Sequence, residues 1–288
     1  MKAIHKSSFA IFSAVIALFS ALAVVVARNT SSLLAEEAER TVRGVVRETA
    51  GRIDRSLMSV EAVVRNLAWV VGEHLDNPDY MYRITQRLVE DNELVVGSAI
   101  AFEPNFFKER GRLFAPYSCA STNGQLKSFP LPYDYSSREW YVEARRSGKA
   151  RWCEPYFDHG GGGVMMCTFS VPVKDDQGRV YAILTADIAL AHITELVKSI
   201  CPYPNSYAVM ISPAGHYLVL PPQGRTYERD VAAITLRERT QNGWVVSVVC
   251  PMENILSDVR KMVRQVVMFA AVGLLIVILV SLAYASRS

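Results

Sequence analysis

The apolar residues are concentrated in two uncharged runs near the ends of the chain. Residues 9–27 carry no charge over 19 positions, and residues 266–285 carry none over 20. A bilayer core of about 30 Å requires roughly 20 apolar residues in helical form. Inside lipid a helix satisfies its backbone hydrogen bonds within one segment. The pattern therefore predicts two transmembrane helices that enclose a large region on one side of a membrane.

The first run has a second interpretation. Lys2 and Lys6 precede it and Val-Val-Ala ends it, which resembles a cleaved signal peptide. A cleaved signal has a shorter apolar segment of about 7–15 residues, so we expect an uncleaved anchor. The lysines then place residues 1–8 in the cytoplasm, and Arg287 marks the return of residues 286–288 to that side. We expect an inner-membrane protein whose middle region is periplasmic or extracellular.

An amphipathic helix is predicted directly after the first run, over residues 28–77. Its apolar residues recur at steps of three or four, which places them on one helix face: Leu34, Ala38, Val42, Val46, Ala50, Ile53, Leu57, Val60, Val64, Leu67 and Val71. At 1.5 Å per residue this helix is roughly 60 Å long. We expect it to extend the membrane helix outward as a stalk and to support a homodimer.

Short helices and strands joined by turns follow in residues 78–200. Helices are predicted over residues 81–92, 137–148 and 191–200, and strands over 93–104, 112–121, 126–131, 151–158, 164–175 and 180–190, with turns at 122–124 and at Gly160–Gly163. Consecutive strands joined by tight turns form hairpins and not βαβ units. The fold class is therefore α+β, with an antiparallel sheet flanked by helices.

A smaller sheet unit is predicted over residues 201–252. Its strands are residues 206–212, 216–220 and 243–251, with an irregular stretch before the last one. A connecting helix over residues 253–265 then leads into the second apolar run.

Composition and motifs exclude several function classes. A formal net charge of +3 gives no electrostatic case for nucleic-acid binding. The motifs GxSxG, HExxH and GxxxxGK[ST] do not occur, so we expect no enzyme. The histidines are widely spaced and the five cysteines lack CxxC spacing, so we expect no metal and no cofactor. Cys153 and Cys167 bracket the glycine turn and could form a disulfide, but we expect buried free thiols.

The residues from 133 to 163 suggest a binding site instead. A zwitterion such as an amino acid needs donors for its carboxylate, a carboxylate for its ammonium group and aromatic walls that exclude water. Arg138 at a helix start offers the donors, aided by nearby backbone N–H groups. Trp140 and Tyr141 in the same turn offer a wall and a hydroxyl.

Acidic partners come from the strands that follow. Tyr156 and Asp158 alternate along one strand and therefore share a face. Asp187 interrupts an apolar strand, where an unpaired charge is costly to bury. A structural alternative is equally open on the residues alone, in which Asp187 pairs with Arg138 or caps the following helix.

The segments YDYSSREWY, WCEPYFD and TADIAL together resemble the double Cache extracellular sensor domains of bacterial chemoreceptors, histidine kinases and membrane phosphatases. The glycine run with MMCTFSVPV resembles the subset attached to sporulation-regulator-type serine phosphatases and related kinases. The resemblance implies two PAS-like modules beside the long helix. In its amino-acid-binding branch it implies ligand contacts at the positions Tyr133, Arg138, Trp140, Tyr141, Tyr156 and Asp187.

The resemblance implies a sensor that binds a small molecule and signals to a cytoplasmic module or partner. Only 23 residues separate Leu220 from Trp244, so we expect the second module to be abbreviated and to act as a spacer without a ligand. The alternative is a structural or partner-binding anchor, in which Arg138 and Asp187 pair with no cavity between them. A hydrolase would need a nucleophile and a base near Arg138, and the sequence supplies neither.

Overall fold

The structure is a computed structural model that describes residues 2–120, 125–159, 163–200, 202–221 and 233–285. Its helices are α1 (Lys2–Glu73), α2 (Tyr80–Glu90), α3 (Glu139–Ser147), α4 (Leu190–Lys198), α5 (Met252–Ile255) and α6 (Ser257–Ala285). Its strands are β1 (Val95–Phe102), β2 (Pro116–Ala120), β3 (Leu126–Pro130), β4 (Arg151–Trp152), β5 (Tyr156–Phe157), β6 (Met165–Lys174), β7 (Val180–Ala189), β8 (Tyr207–Ile211), β9 (Tyr217–Val219), β10 (Ala233–Arg239) and β11 (Val245–Pro251).

Helix α1 is one continuous helix of 72 residues. It therefore joins the first apolar run to the stalk without a break, as the pattern predicts. From Ala38 to Val64 every residue of the predicted apolar face is at most 3% exposed, whereas Leu34 is 38% exposed. This face packs against α2 and the strands β6, β7, β10 and β11, and it begins where those strands begin to cover it.

Helices α1 and α6 are each long and apolar enough to cross a membrane by length and composition. They pack against each other. The predicted connecting helix is divided in the structure, because α5 ends at Ile255 and α6 begins at Ser257.

The larger sheet has the strand order β3-β2-β1-β7-β6-β4, with β5 also paired to β6. All of its pairs are antiparallel, so the predicted α+β hairpin sheet is confirmed. Helices α1 and α2 cover one face, and α3 packs against β6 and β7 from the other. We call the side covered by α3 the pocket face.

The smaller sheet has the order β10-β11-β8-β9, again antiparallel. Strand β10 lies in a stretch that the sequence pattern treats as irregular. Its residues alternate between half-buried and exposed, because β10 is an edge strand with one face toward α1. An edge strand that carries Arg237, Glu238 and Arg239 has too few apolar positions for the pattern to stand out.

The predicted strand over residues 151–158 is wrong in its continuity. It forms two short strands, β4 and β5, separated by Cys153, Glu154 and Pro155. Proline lacks a backbone N–H and cannot donate to the ladder, so pairing with β6 lapses there. The predicted turn at residues 122–124 and most of the glycine turn lie outside the described residues.

The buried cysteines are free thiols, as the sequence favours. Cys153 belongs to the pocket-face core and Cys167 to the core under α1, so the sheet separates their side chains. Burial raises the pKa of the Cys153 thiol to about 12, which keeps it protonated and unreactive.

Candidate functional site

A cavity of about 410 Å³ lies at the pocket face of the larger sheet. Its walls come from the segment before α3, the start of α3 and the strand segment from Cys153 to His159. This volume falls in the range of about 300–1,000 Å³ for small-molecule sites. The lining residues are Pro132, Tyr133, Arg138, Glu139, Trp140, Cys153, Glu154, Pro155, Tyr156, Phe157, Asp158 and His159.

Arg138 stands at the helix side of the cavity. It is the N-cap residue of α3, with extended backbone angles, and its guanidinium lies over the Tyr133 ring at 4.9 Å from the centroid. In the described part of the chain its side chain makes no hydrogen bond or ion pair. The N-terminus of α3, where backbone N–H groups attract anions, begins beside it. Arg138 is therefore held by a ring and keeps its donors free.

Trp140 and Tyr141 follow Arg138 but point to different places. Trp140 lines the cavity and is 5% exposed, and its indole Nε1 has no hydrogen-bond partner in the described structure. Tyr141 is 2% exposed and does not line the cavity, contrary to the expectation that it offers a hydroxyl there. Its hydroxyl donates to Glu103 Oε1 at 2.9 Å, because successive helix positions are about 100° apart.

A row of polar residues crosses the pocket face of the sheet beneath the cavity. Asp187 on β7 is paired in register with Thr168 on β6 and with Gly97 on β1. The Thr168 hydroxyl donates to Asp187 Oδ1 at 2.7 Å and lies 2.8 Å from the Tyr156 hydroxyl. Tyr156 lines the cavity, so this chain connects the cavity wall to the buried carboxylate.

Asp187 is the buried carboxylate of this row, and its environment shifts its pKa. It is 3% exposed, and burial raises its pKa to about 7, with a further upward contribution from the Asp158 charge. The hydrogen bond from Thr168 acts in the opposite direction. Asp158 is 4% exposed and lines the cavity, so Tyr156 and Asp158 share a face as the alternation predicts.

Because Gly97 has no side chain, Asp187 and Tyr117 can pack directly against its backbone. A Cβ atom at Gly97 would overlap the Tyr117 hydroxyl and would stand 2.7 Å from Asp187 Oδ2. The Tyr117 hydroxyl is buried beside Asp187 without a hydrogen bond of standard geometry. Burial and the nearby Asp187 charge both raise the pKa of Tyr117, so the phenol stays protonated and keeps a donor available.

These residues lie in a segment that matches a known type of domain. Residues 81–195 match the family described as methyl-accepting chemotaxis protein-like, first PDC sensor domain. We call the matched segment, residues 81–195, the PDC domain. The double Cache assignment drawn from the sequence motifs is thereby confirmed at the level of domain type.

A curated relative of the PDC domain is the methyl-accepting chemotaxis protein PscA of Pseudomonas syringae pv. tomato (strain ATCC BAA-871 / DC3000). The two are 32% identical over 106 residues, which are 35% of this chain and 16% of PscA. The match therefore spans only a small part of PscA's length.

Solved structures extend the likeness beyond the PDC domain, because they cover more than three quarters of the chain. The extracellular domain of a candidate histidine kinase, soHK1S-Z6, superposes with a TM-score of 0.63 at 21% identity, covering 78% of this chain and 98% of that domain. The ligand-binding domain of the Pseudomonas fluorescens chemoreceptor CtaA, in complex with L-isoleucine, gives 0.57 at 14% identity, covering 79% and 98%. At these identities the likeness establishes the fold.

The sequence patterns do not identify three residues of the site in the PDC domain. Thr168, Tyr117 and Gly97 lie on three different strands, and only the strand order and register bring them to Asp187. A glycine inside the apolar strand VVGSAIAF is the one available signal, because a strand glycine often marks a close approach.

A second cavity, of about 460 Å³, lies between the PDC domain, α1 and the smaller sheet. It shares Glu139, Cys153 and Glu154 with the first cavity, so these residues form a common wall. Trp152 Nε1 donates to Glu61 Oε1 of α1 at 2.8 Å, and the Trp152 ring lies 6.0 Å from the Trp244 ring. The wall is thus bonded to the long helix and packed on the smaller sheet.

Proposed function

We propose that this protein is a membrane-anchored extracytoplasmic sensor that binds an amino acid or a related amine-carboxylate. The observation that carries the proposal is a cavity with an arginine on its helix side that makes no ion pair in the described structure, and with the buried carboxylate of Asp158 on its sheet side. Such a cavity matches the two opposite charges of a zwitterion.

Each part of the ligand has a partner in the proposed pocket. Arg138 and the N-terminus of α3 receive the carboxylate through a fork of donors. Asp158 in the cavity lining faces the ammonium group, and Asp187 acts from beneath the lining, to which Thr168 and the Tyr156 hydroxyl connect it. Trp140 forms the aromatic wall and brings an indole N–H that has no partner in the described structure. Tyr133 supports Arg138 from behind.

The anchor hypothesis requires Arg138 and Asp187 to neutralise each other with no cavity between them. The described contacts do not include that pair, and a cavity of about 410 Å³ lies beside Arg138. This difference favours the binding function over a purely structural one.

The signal is proposed to leave the pocket through the wall that both cavities share. Ligand contacts at Tyr156 and Asp158 act on the segment that continues from Trp152 and Glu154. Trp152 is bonded to Glu61 of α1, so a shift of this segment would bias the position of the long helix. Two arrangements with different ligand affinities are required for this coupling. A cytoplasmic module or partner would receive the change.

A homodimer through α1 belongs to the same proposal. The outward face of α1 carries exposed apolar residues at Met58 (48% exposed) and Trp69 (66% exposed), with Ala62 exposed between them. Positions 58, 62 and 69 have the spacing of one helical stripe, which suits a second copy of the helix. The membrane helices would hold both copies in the inner membrane with the sensor domain outside.

A thermal-shift screen of the full chain in lipid nanodiscs tests the binding function. The panel is the twenty L-amino acids, simple amines and small carboxylates. A compound at 100 times its Kd adds about 2.7 kcal/mol to the free energy of unfolding, which gives a clear rise in Tm. We expect the rise to disappear in Arg138→Ala and to persist in Arg87→Ala, a control on the exposed side of α2. If no compound raises Tm, the amino-acid function is wrong.

A further inference from the structure

The lining of the ligand cavity holds more negatively charged side chains than positively charged ones. Among the described lining residues, Arg138 is the one side chain of permanent positive charge, whereas Glu139, Glu154 and Asp158 are carboxylates. His159 also lines the cavity and is left out of this comparison of permanently charged and carboxylate side chains. The lining therefore carries an excess of two negative charges before Asp187 is considered.

A zwitterion uses only part of this set. Its carboxylate takes Arg138, and its ammonium group takes the carboxylates that are buried at the sheet, Asp158 and Asp187. Glu139 and Glu154 remain. We call these two residues the acidic rim, because both line the first cavity and also the second.

The acidic rim makes no ion pair with an arginine or a lysine in the described structure. Glu139 is exposed at the first position of α3 and makes no side-chain hydrogen bond or ion pair there. Glu154 accepts from the backbone N–H of Ala214 at 3.3 Å and lies 3.2 Å from His216 Nδ1. These contacts orient the Glu154 carboxylate.

The two arginines that line the second cavity form ion pairs with other carboxylates. Arg65 lies 3.5 Å from Glu61 Oε2 and over the Phe169 ring, and Arg151 donates to Glu143 Oε2 at 2.8 Å. Neither of them offers its charge to the acidic rim through a described contact.

We infer that the ligand carries a second positive charge on its side chain, as in L-arginine, L-lysine or L-ornithine, and that the acidic rim binds it. This inference rests on the proposed amino-acid function and names its ligand class. A cavity of about 410 Å³ with both carboxylates in its lining has room for such an extended side chain.

The test compares ligands of the same shape that differ in side-chain charge. Titration calorimetry on the full chain in nanodiscs would use L-arginine against L-citrulline and L-lysine against L-norleucine. A charged hydrogen bond in a partly buried site supports about a tenfold preference for the charged member of each pair. The preference should shrink as salt is raised from 20 to 500 mM, because exposed charges are screened.

The variant Glu139→Gln, alone and with Glu154→Gln, then assigns the preference to the rim. The double variant should bring the ratio of arginine to citrulline affinity close to one, while citrulline binding changes less than about threefold. Glutamine keeps the side-chain shape and can still accept from Ala214. Glu93→Gln, on an exposed residue outside both cavities, is the matched control and should keep the wild-type ratio.

The outcomes separate the two proposals. If amino acids bind but citrulline binds as tightly as arginine, the inference about charge is wrong and the sensor function stands. If arginine is preferred but the rim variants keep that preference, the assignment to Glu139 and Glu154 is wrong. If no amino acid binds, the proposed function fails and this inference fails with it.

Discussion

Replacing Asp187 with asparagine should stabilise the protein that has no ligand. The carboxylate is 3% exposed and its pKa is raised to about 7 by burial. Asparagine has nearly the same shape and keeps an oxygen that accepts from Thr168. Its amide group also adds a donor beside the Tyr117 hydroxyl, which has no partner in the described structure. The variant removes the cost of burying a charge without leaving a hole.

The magnitude follows from proton linkage. An ordinary aspartate has a pKa of about 3.9, so the unfolded chain releases this proton roughly three pH units before the folded chain does. Between about pH 4 and pH 7 the folded state binds more protons, and stability falls as pH rises. The free energy of unfolding falls by about 1.4 kcal/mol for each of these three pH units, which makes at most about 4 kcal/mol above pH 7. The variant Asp187→Asn has no carboxylate to ionise and does not lose this stability.

Thermal unfolding in nanodiscs between pH 4.5 and pH 8, followed by tryptophan fluorescence, measures the effect. For a domain of this size 4 kcal/mol corresponds to a rise in Tm of about 8–16 °C, which is the ceiling. The advantage of Asp187→Asn over wild type should be small at pH 4.5 and largest at pH 8. Asp76→Asn, on an exposed carboxylate, should show no such trend. An advantage that is constant across this pH range would refute the reasoning, as would a less stable variant at pH 8.

Three further predictions concern the same region. The affinity for the best amino acid of the screen should rise with pH, by up to about tenfold per unit below pH 7, because the ammonium group needs ionised Asp187; calorimetry that finds no pH dependence contradicts this. Gly97→Ala should lower Tm by crowding the Tyr117 hydroxyl, and adding Tyr117→Phe should recover part of the loss. Trp152→Phe should lower the free energy of unfolding by about 1.5–3 kcal/mol, because the α1 carboxylate that Trp152 bonds loses a donor. Circular dichroism melts should show no comparable loss for Tyr217→Phe, on an exposed residue of β9.

Periodicity predicts the long helix because its burial is one-sided. The stalk face of α1 repeats every three or four residues, and its members from Ala38 to Val64 are at most 3% exposed. Strands β6 and β7 are recognisable for a different reason, since both are almost wholly buried and appear as nearly continuous apolar runs. Strand β10 escapes because it lies at an edge and alternates charged with half-buried residues.

The site is only partly readable from local sequence. Arg138 and Trp140 are adjacent to a helix start, and Tyr156 and Asp158 share a strand face, so local geometry places these four side chains at one cavity. Tyr141 shows the limit of this reasoning. Tyr141 is one residue further along α3 than Trp140, so it points about 100° away and its hydroxyl bonds Glu103. The order of residues in the motif does not show this difference in direction.

The pocket face also shows why a binding site can be recognised before its ligand is known. Each buried polar group without a partner costs about 1–3 kcal/mol, so a fold under selection for stability alone would remove them. Here the Trp140 indole lines the cavity and has no hydrogen-bond partner in the described structure. Asp187, which Thr168 and Tyr156 connect to the cavity wall, has its pKa raised by burial. A ligand that brought an acceptor to the indole would remove the cost of that unpaired donor, and the cost itself marks the cavity as a candidate site whatever the ligand is.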